Sequence, residues 1–310
     1  MSPSVSVVVP SLRGGSRLLE LTRAALDSDP LEVEVIVVDN GMPRPNAEAV
    51  REAGGTIAGS GANLGFGAAV NRGVEQASGA ALVITNDDVV PRPGFLAELV
   101  APLTSATMVA GVLLREGAPD TIESAGIELD VALVAHDYLG GEPVSRLERP
   151  VEPPFGPSGA AAAFAIATFR EAGGFDEQFF AYYEDVDLAL RLRAAGADCA
   201  LASNARAVHA GSATLGLGSH SKADIVGFSR GYALRKHRVL QHATRPQAAA
   251  IVAAELGTAA FLTARHRSFG PAAARVRGWR ACATPPQSPA PPATIGLADG
   301  LRRRYARAKR

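Results

Sequence analysis

The chain has 310 residues, 47% hydrophobic and 20% charged, so it can bury a sizeable core and is not globally disordered. Its formal net charge is zero, yet from Gly231 onward there are fifteen Lys and Arg against two acids, while the first 230 residues hold sixteen basic residues and twenty-nine acids. That split excludes a uniformly basic nucleic-acid binder and describes a mildly acidic body with a basic end suited to an anionic surface or partner.

The first apolar run, "VSVVVP", lacks a basic flank and is stopped by Pro10, so it reads as a strand rather than a signal peptide. "SRLLELTRAALDS" follows with helical spacing of Leu and Ala. "VEVIVVDN" is a second strand ending at Asp39, and "GFGAAVNRGVEQAS" is a turn running into a helix. "AALVITNDD" is a third strand, ending at Asp87 and Asp88. Continuous apolar strands separated by helices predict a parallel sheet covered on both faces. In such sheets ligands bind beyond the carboxyl ends of the strands, where these acids fall.

"PRPGFLAELVAPL" is the next predicted helix. Residues 115–157 are rich in Gly, Pro and charge and read as short strands with a flexible loop. "SGAAAAFAIATFREAGGFDE" is a small-residue strand, a short helix and a Gly-Gly turn. Leu188, Leu190 and Leu192 suit a helix that starts in "YYEDVD" and ends at Gly196. "ADCALASNARAVHAGSA" reads as a strand pair and "SKADIVGFSRGYALRKHRVLQHA" as one helix. "AAAIVAAELGTAAFLTA" is interrupted by Glu255 and Gly257 and is shorter than the roughly 20 apolar residues of a membrane span. Arg265, Arg267, Arg275, Arg277 and Arg280 then stand beside Phe269 and Trp279, a pattern for a lipid interface or for a packed helix with solvated arginines. From about residue 281 the chain is Pro-rich, then basic, and reads as disordered. Cys199 and Cys282 lack metal-type spacing and fit a reducing compartment.

Three groups of residues could carry chemistry. Asn86, Asp87 and Asp88 supply hard oxygen ligands for Mg²⁺ or Mn²⁺, or make a solvated turn. The glycines of "NLGFGAAVNRG" open a helix and admit phosphate, or simply enter it; Val70 and the early position of Asp39 depart from a dinucleotide fingerprint. Glu184, Asp185 and Asp187 crowd a helix start, where acids are favoured by the dipole alone. His209, in "AVHAGSA", is a structural residue or the partner of an acid cluster.

Taken in order, Asp39, the Gly-rich loop, "NDD", the pattern "GFDEQFFAYYEDVDLALR" and "AVHAGSA" resemble the family 2 glycosyltransferases of GT-A fold, especially the bacterial rhamnosyltransferase-like branch, over about residues 4–240. The resemblance implies an α/β, Rossmann-like mixed sheet flanked by helices, with a donor-binding half to about residue 110, an acceptor half to 240, and a basic helical extension over 241–280. It places Pro10, Ser11, Arg13, Asp39, Asn63, Gly65, Gly67, Asn71, Asn86 and Asp87 around a nucleotide sugar, dTDP- or UDP-linked. Asp88 and His209 would hold Mg²⁺ or Mn²⁺. Asp185 would be the catalytic base, Glu184 would orient the acceptor, and Asp187 would cap the helix. Phe179, Phe180, Tyr182 and Tyr183 would stack on sugar or belong to the core. The implied activity is inverting transfer, with L-rhamnose from dTDP-L-rhamnose as first choice and a UDP-hexose or galactofuranose donor as alternative. The acceptor would be a glycan, a lipid-linked sugar or a small molecule, with peripheral contact at the cytoplasmic membrane face. A nucleotidyltransferase, reading "PSLRGGSR" as its phosphate loop, and a non-catalytic binding protein are the readings from other classes.

Overall fold

The computed structural model describes residues 4–59, 61–210 and 219–283, together with 293–296, 299, 300, 302 and 303; at 219–221 only the backbone is described. In chain order the elements are β1 (Val5–Ser11), α1 (Ser16–Leu26), β2 (Val33–Asp39), α2 (Arg44–Glu52), β3 (Thr56–Gly59), α3 (Phe66–Val74), β4 (Ala81–Thr85), β5 (Val89–Pro91) and α4 (Phe95–Val100). Then come β6 (Met108–Arg115), β7 (Ala118–Ser124), β8 (Ile127–Leu129), β9 (Ala135–Asp137), β10 (Ala161–Ala165), α5 (Ile166–Glu171), α6 (Glu184–Ala194) and β11 (Cys199–His209). Four helices end the series: α7 (Ser219–Lys236), α8 (Val239–His242), α9 (Arg245–His266) and α10 (Gly270–Ala281).

One mixed sheet organises the fold, in the order β3-β2-β1-β4-β10-β6-β11-β5, with β7 added beside β6. Strands β3, β2, β1 and β4 are parallel, and the unbroken apolar runs of β2, β1 and β4 fit strands covered on both faces. On one face Leu18, Leu21 and Ala25 of α1 pack against Val5, Val7 and Val9. On the other, α3 lies so close that a Cβ on Gly73 would sit 2.5 Å from Val8 Cγ1. The Ala-rich β10 runs antiparallel between β4 and β6. The parallel strands end at Ser11, Asp39 and Thr85, so their following loops share one edge.

Three expectations are corrected. "ADCALASNARAVH" is one eleven-residue strand, β11, rather than a pair; it passes a register shift between Leu201 and Arg206 and continues alongside β6. The long predicted helix after residue 220 breaks at Arg238, which adopts left-handed backbone with φ 50° and starts the separate α8. The apolar run at 248–264 is carried uninterrupted by the 22-residue α9, long and apolar enough to cross a membrane by length and composition. Glu255 does not break it, because it turns inward to Arg230 and Arg275. The C-terminal helices share the main core, where Ile251, Tyr232, Val239 and Cys282 pack with the sheet. Much of the predicted disordered tail lies outside the described residues; Thr294 and Ile295 hydrogen-bond to Leu129.

Candidate active site

A cleft of about 660 Å³ opens at the carboxyl edge of the parallel strands. One wall is built by three loops. Pro10 lies at the end of β1 and Leu12 follows it, Asn63 and Gly65 precede α3, and Asn86 and Asp87 follow β4. Asn40, the residue after β2, was not singled out in the sequence, yet its side chain holds the loop before α3. Its side-chain N–H donates to Asn63 Oδ1 and to the Gly65 carbonyl, and its Oδ1 accepts the Leu64 N–H at 2.6 Å. Gly65 cannot be replaced: at φ 86°, a Cβ would lie 2.2 Å from the Phe180 carbonyl oxygen. That carbonyl accepts the Phe66 N–H, which ties the Gly-rich loop to the chain leading into α6.

Ser11, Arg13, Asp39, Gly67 and Asn71 do not line the cleft. Ser11 donates a 2.6 Å hydrogen bond to Asp87 Oδ2 and fixes that carboxylate. Asp39 accepts the Gly41 and Met42 N–H groups and closes the turn after β2. Arg13 is exposed, and its carbonyl holds Asn46. Asn71 is turned to the loop before α6, bonding the Phe175 backbone on both sides and Glu177. Gly67 leaves room for Phe175 and Glu184.

The opposite wall belongs to the start of α6. Tyr182 and Tyr183 both have left-handed backbone, φ 66° and 73°, which costs non-glycine residues of order 1–3 kcal/mol each. This double turn swings the chain so that α6 begins at Glu184 facing the cleft. The four aromatics divide: Phe179 is fully buried, edge-on to Tyr232, and Phe180 is half-buried outside the cleft, whereas Tyr182 and Tyr183 line the cleft. Asp185 is half-buried in the cleft, accepting the N–H groups of Gly159 and Val186. Burial raises its pKa above the ordinary carboxylate value despite those two hydrogen bonds. Glu184 is buried more deeply; burial, then the charge of Asp185, pushes its carboxyl well up, so it favours the protonated form.

Asp187 does not cap the helix, whose N-cap is Tyr183 with no side-chain bond. It is 1% exposed and meets Arg191 at 2.8 Å, Lys236 at 2.7 Å and His237 at 2.9 Å. Burial would raise its pKa, but the His237 hydrogen bond and the Lys236 and Arg191 charges outweigh it and hold the carboxyl far below its usual range.

Asp88 and His209 come from sequence positions 121 residues apart and are joined by strand pairing. Antiparallel β5 and β11 set His209 opposite Val89, so Asp88 reaches the same spot. His209 Nε2 faces Asp88 Oδ1 at 3.2 Å, and both residues are buried. On its other side His209 Nδ1 meets Glu123 Oε1 at 2.9 Å. Burial opposes a charged imidazole, but the two carboxylates win and push its pKa up to about 10. A carboxylate behind a histidine is the arrangement that orients metal-ligating imidazoles. Among the described residues, no group of three or more His, Cys, Asp or Glu could hold a metal by itself. Two protein ligands, one oxygen and one nitrogen, nevertheless fit a divalent ion such as Mn²⁺ that takes its other ligands from a diphosphate and water. Glu123 was missed in the sequence; it sits in "PDTIESAG", a stretch without a motif.

With this geometry in place, comparisons with known proteins are informative. Residues 6–136 match the sequence model of glycosyl transferase family 2. The chain is 32% identical over 192 residues to an N-acetylglucosaminyl-diphospho-decaprenol L-rhamnosyltransferase of Mycobacterium tuberculosis, covering 53% of this chain and 62% of that protein. It is 29% identical over 235 residues to the O-antigen biosynthesis protein RfbC of Myxococcus xanthus, covering 69% of this chain and 18% of the relative. The chain thus spans less than two thirds of the length of either relative. Among solved structures, the mannosyltransferase PcManGT of Pyrobaculum calidifontis, in complex with GDP-Man and Mn²⁺, superposes with a TM-score of 0.53 at 19% identity, covering 100% of this chain and 81% of that one. GalNAc-T7 with UDP, GalNAc and Mn²⁺ superposes with a TM-score of 0.56 at 15% identity, covering 78% and 52%. The mixed sheet with its flanking helices is a GT-A fold, and residues 6–136 are similar to glycosyl transferase family 2.

Proposed function

We propose that this chain is an inverting glycosyltransferase that moves a sugar from a nucleotide-sugar donor to an acceptor hydroxyl. One observation carries the reading: a carboxyl with a raised pKa, Asp185, lines the same cleft as His209, which is held between Asp88 and Glu123. The donor lies along the Asn40–Asn63–Gly65 loop. Asp88 and His209 would hold Mg²⁺ or Mn²⁺, which would supply positive charge for a nucleoside diphosphate leaving group. Asp185 accepts the proton of the acceptor hydroxyl as its oxygen bonds to the anomeric carbon and the bond to the diphosphate breaks. Glu184, whose pKa burial pushes up, orients the acceptor. The double left-handed turn at Tyr182 and Tyr183 keeps both carboxyls aimed inward.

L-Rhamnose from a dTDP donor is the first choice of sugar, supported by the mycobacterial relative; UDP-hexose and galactofuranose donors are the alternatives on the same fold. That relative's name also supports a lipid-diphosphate-linked acceptor, met at the cytoplasmic membrane face by the C-terminal helices. A nucleotidyltransferase is disfavoured because Arg17, in the first turn of α1, is ion-paired with Glu116. The test is product formation from a panel of dTDP- and UDP-sugars with Mn²⁺, with Mg²⁺ and with EDTA, the anomeric configuration read by NMR. Metal-dependent transfer with inversion is expected. Retention of configuration, full activity in EDTA, or pyrophosphate-releasing synthesis of a nucleotide sugar overturns the reading.

A further inference from the structure

Six large apolar side chains are exposed among the described residues, and five of them lie between Val252 and Val276. Leu256 is 66% exposed, Phe261 52% and Phe269 79%. The cause is the orientation of α9. Its only acid, Glu255, points into the body, where Arg230 meets it at 2.9 Å and Arg275 at 3.3 Å. The two arginines lower the Glu255 pKa against the opposing effect of burial. What α9 turns outward is Ala249, Val252, Ala253, Leu256, Gly257, Ala260, Phe261 and Ala264, the repeating set of one helical face. This face runs about 22 Å at the helical rise without a charge. Arg245 bounds one end; Arg265 and Arg267 bound the other, all exposed.

We propose that this outward face of α9 docks in the plane of an anionic membrane interface, its apolar side chains among the acyl chains and Arg245, Arg265 and Arg267 on lipid phosphates. For what the docking delivers, a lipid-linked acceptor, the inference rests on the proposed function; the docking itself does not. Helix α9 is apolar enough to span, but a span would carry Glu255 into hydrocarbon and strip the buried Arg230 of its partner. An in-plane helix keeps both. Charge decides against a second copy of the chain as occupant. Residues 245–283 contain six arginines and Glu255 as their only acid, and Glu255 faces inward. Pairing two such faces, parallel or antiparallel, sets arginine ends against arginine ends, whereas lipid phosphates complement them.

The docked helix is one layer from the cleft. Arg230 of α7 holds Glu255 on one side; on the other its Nη1 reaches the Leu133 carbonyl at 2.6 Å and the Tyr183 hydroxyl at 3.4 Å. Val226 of the same helix lines the cleft. The membrane face thus lies behind the wall that carries Tyr183 and Asp185.

The full chain should sediment, without donor or acceptor, with phosphatidylcholine–phosphatidylglycerol vesicles at low salt and weakly with phosphatidylcholine alone. Leu256→Glu and Phe261→Glu should each lower the partition coefficient at least about tenfold, because both side chains are exposed and a charge is costly in hydrocarbon. Their thermal midpoints should match the parent. Arg265→Gln with Arg267→Gln should reduce the anionic preference and its salt dependence. Removing α9 is a poorer probe, since it leaves Arg230 unpaired. Equal sedimentation of parent and both Glu variants overturns the proposal. So does absence of sedimentation accompanied by a dimer, in analytical ultracentrifugation, that Leu256→Glu dissociates. Metal-dependent donor turnover on a soluble acceptor should be unchanged in the variants; its absence from the parent would refute the proposed function and leave the docking standing.

Discussion

Helix α6 has two sides that treat chemically similar carboxyls in opposite ways. Asp185 faces the cleft, where burial raises its pKa and only backbone N–H groups oppose the shift. Asp187, two residues on, faces α7 and is surrounded by Arg191, Lys236 and His237, which depress its pKa. The dipole of the helix start acts on both, so it does not explain the difference. Partners do: one side keeps a carboxyl short of cations and available for a proton, the other spends its carboxyl on joining two helices.

The largest expected effect lies on the α7 side. Asp187→Asn leaves buried cations without their counter-charge and should cost about 3 kcal/mol of stability, near the low end for a broken buried pair because Lys236 keeps Asp176. Urea unfolding checks it. Transfer per folded molecule should stay close to the parent, and a folded, stable Asp187→Asn that cannot transfer sugar would erase the proposed division between the two sides.

The next effect extends the comparison across the cleft, to a histidine held by two acids. Glu123→Ala frees the His209 ring and should weaken Mn²⁺ binding about 10- to 100-fold, measured by calorimetry, as loss of such a partner commonly does. Glu123→Gln, which still accepts from Nδ1–H, should recover part of the loss. Unchanged affinity in Glu123→Ala would make the contact incidental.

How much of this was legible beforehand differs by residue. Strands β1, β2 and β4 announced themselves because strands buried on both faces need unbroken apolar runs, and the aromatic-acid stretch before α6 is long enough to resemble a family. Helix α2 and the four-residue edge strand β3 carry no such run and went unread. Asn71 and Gly67 looked like phosphate-loop residues, but their contacts are with Phe175, on a loop more than a hundred positions away. Glu123 was invisible for the same reason: β7 joins β6, β6 joins β11, and only that chain of pairings carries it to His209. Glu255 read as an interruption of α9 because nothing local shows that Arg230 waits on its inner side.

The smallest effect is in pH. Asp185 must be ionised to accept a proton, so kcat/KM should fall as pH drops through its raised pKa. Asp187 is depressed when folded, so its contribution to stability is complete above the unfolded value of about 3.9 and is lost as pH falls below it. Activity should therefore decline at a pH where the unfolding free energy has not yet fallen, since carboxyls raised on folding, Asp185 and Glu184, add stability as pH drops. If rate and stability fall together, the rate limb reports unfolding rather than a base.

The central claim is that Asp185 takes the acceptor proton, and Asp185→Asn tests it most directly when donor binding and product formation are measured on the same sample. The amide keeps the size of the side chain and cannot take up the proton. Binding of the nucleotide sugar with Mn²⁺, followed by calorimetry, should match the parent, the thermal midpoint should not fall, and transfer should drop by about 10²–10⁴-fold. Turnover within a few-fold of the parent, with the donor bound, would contradict the account.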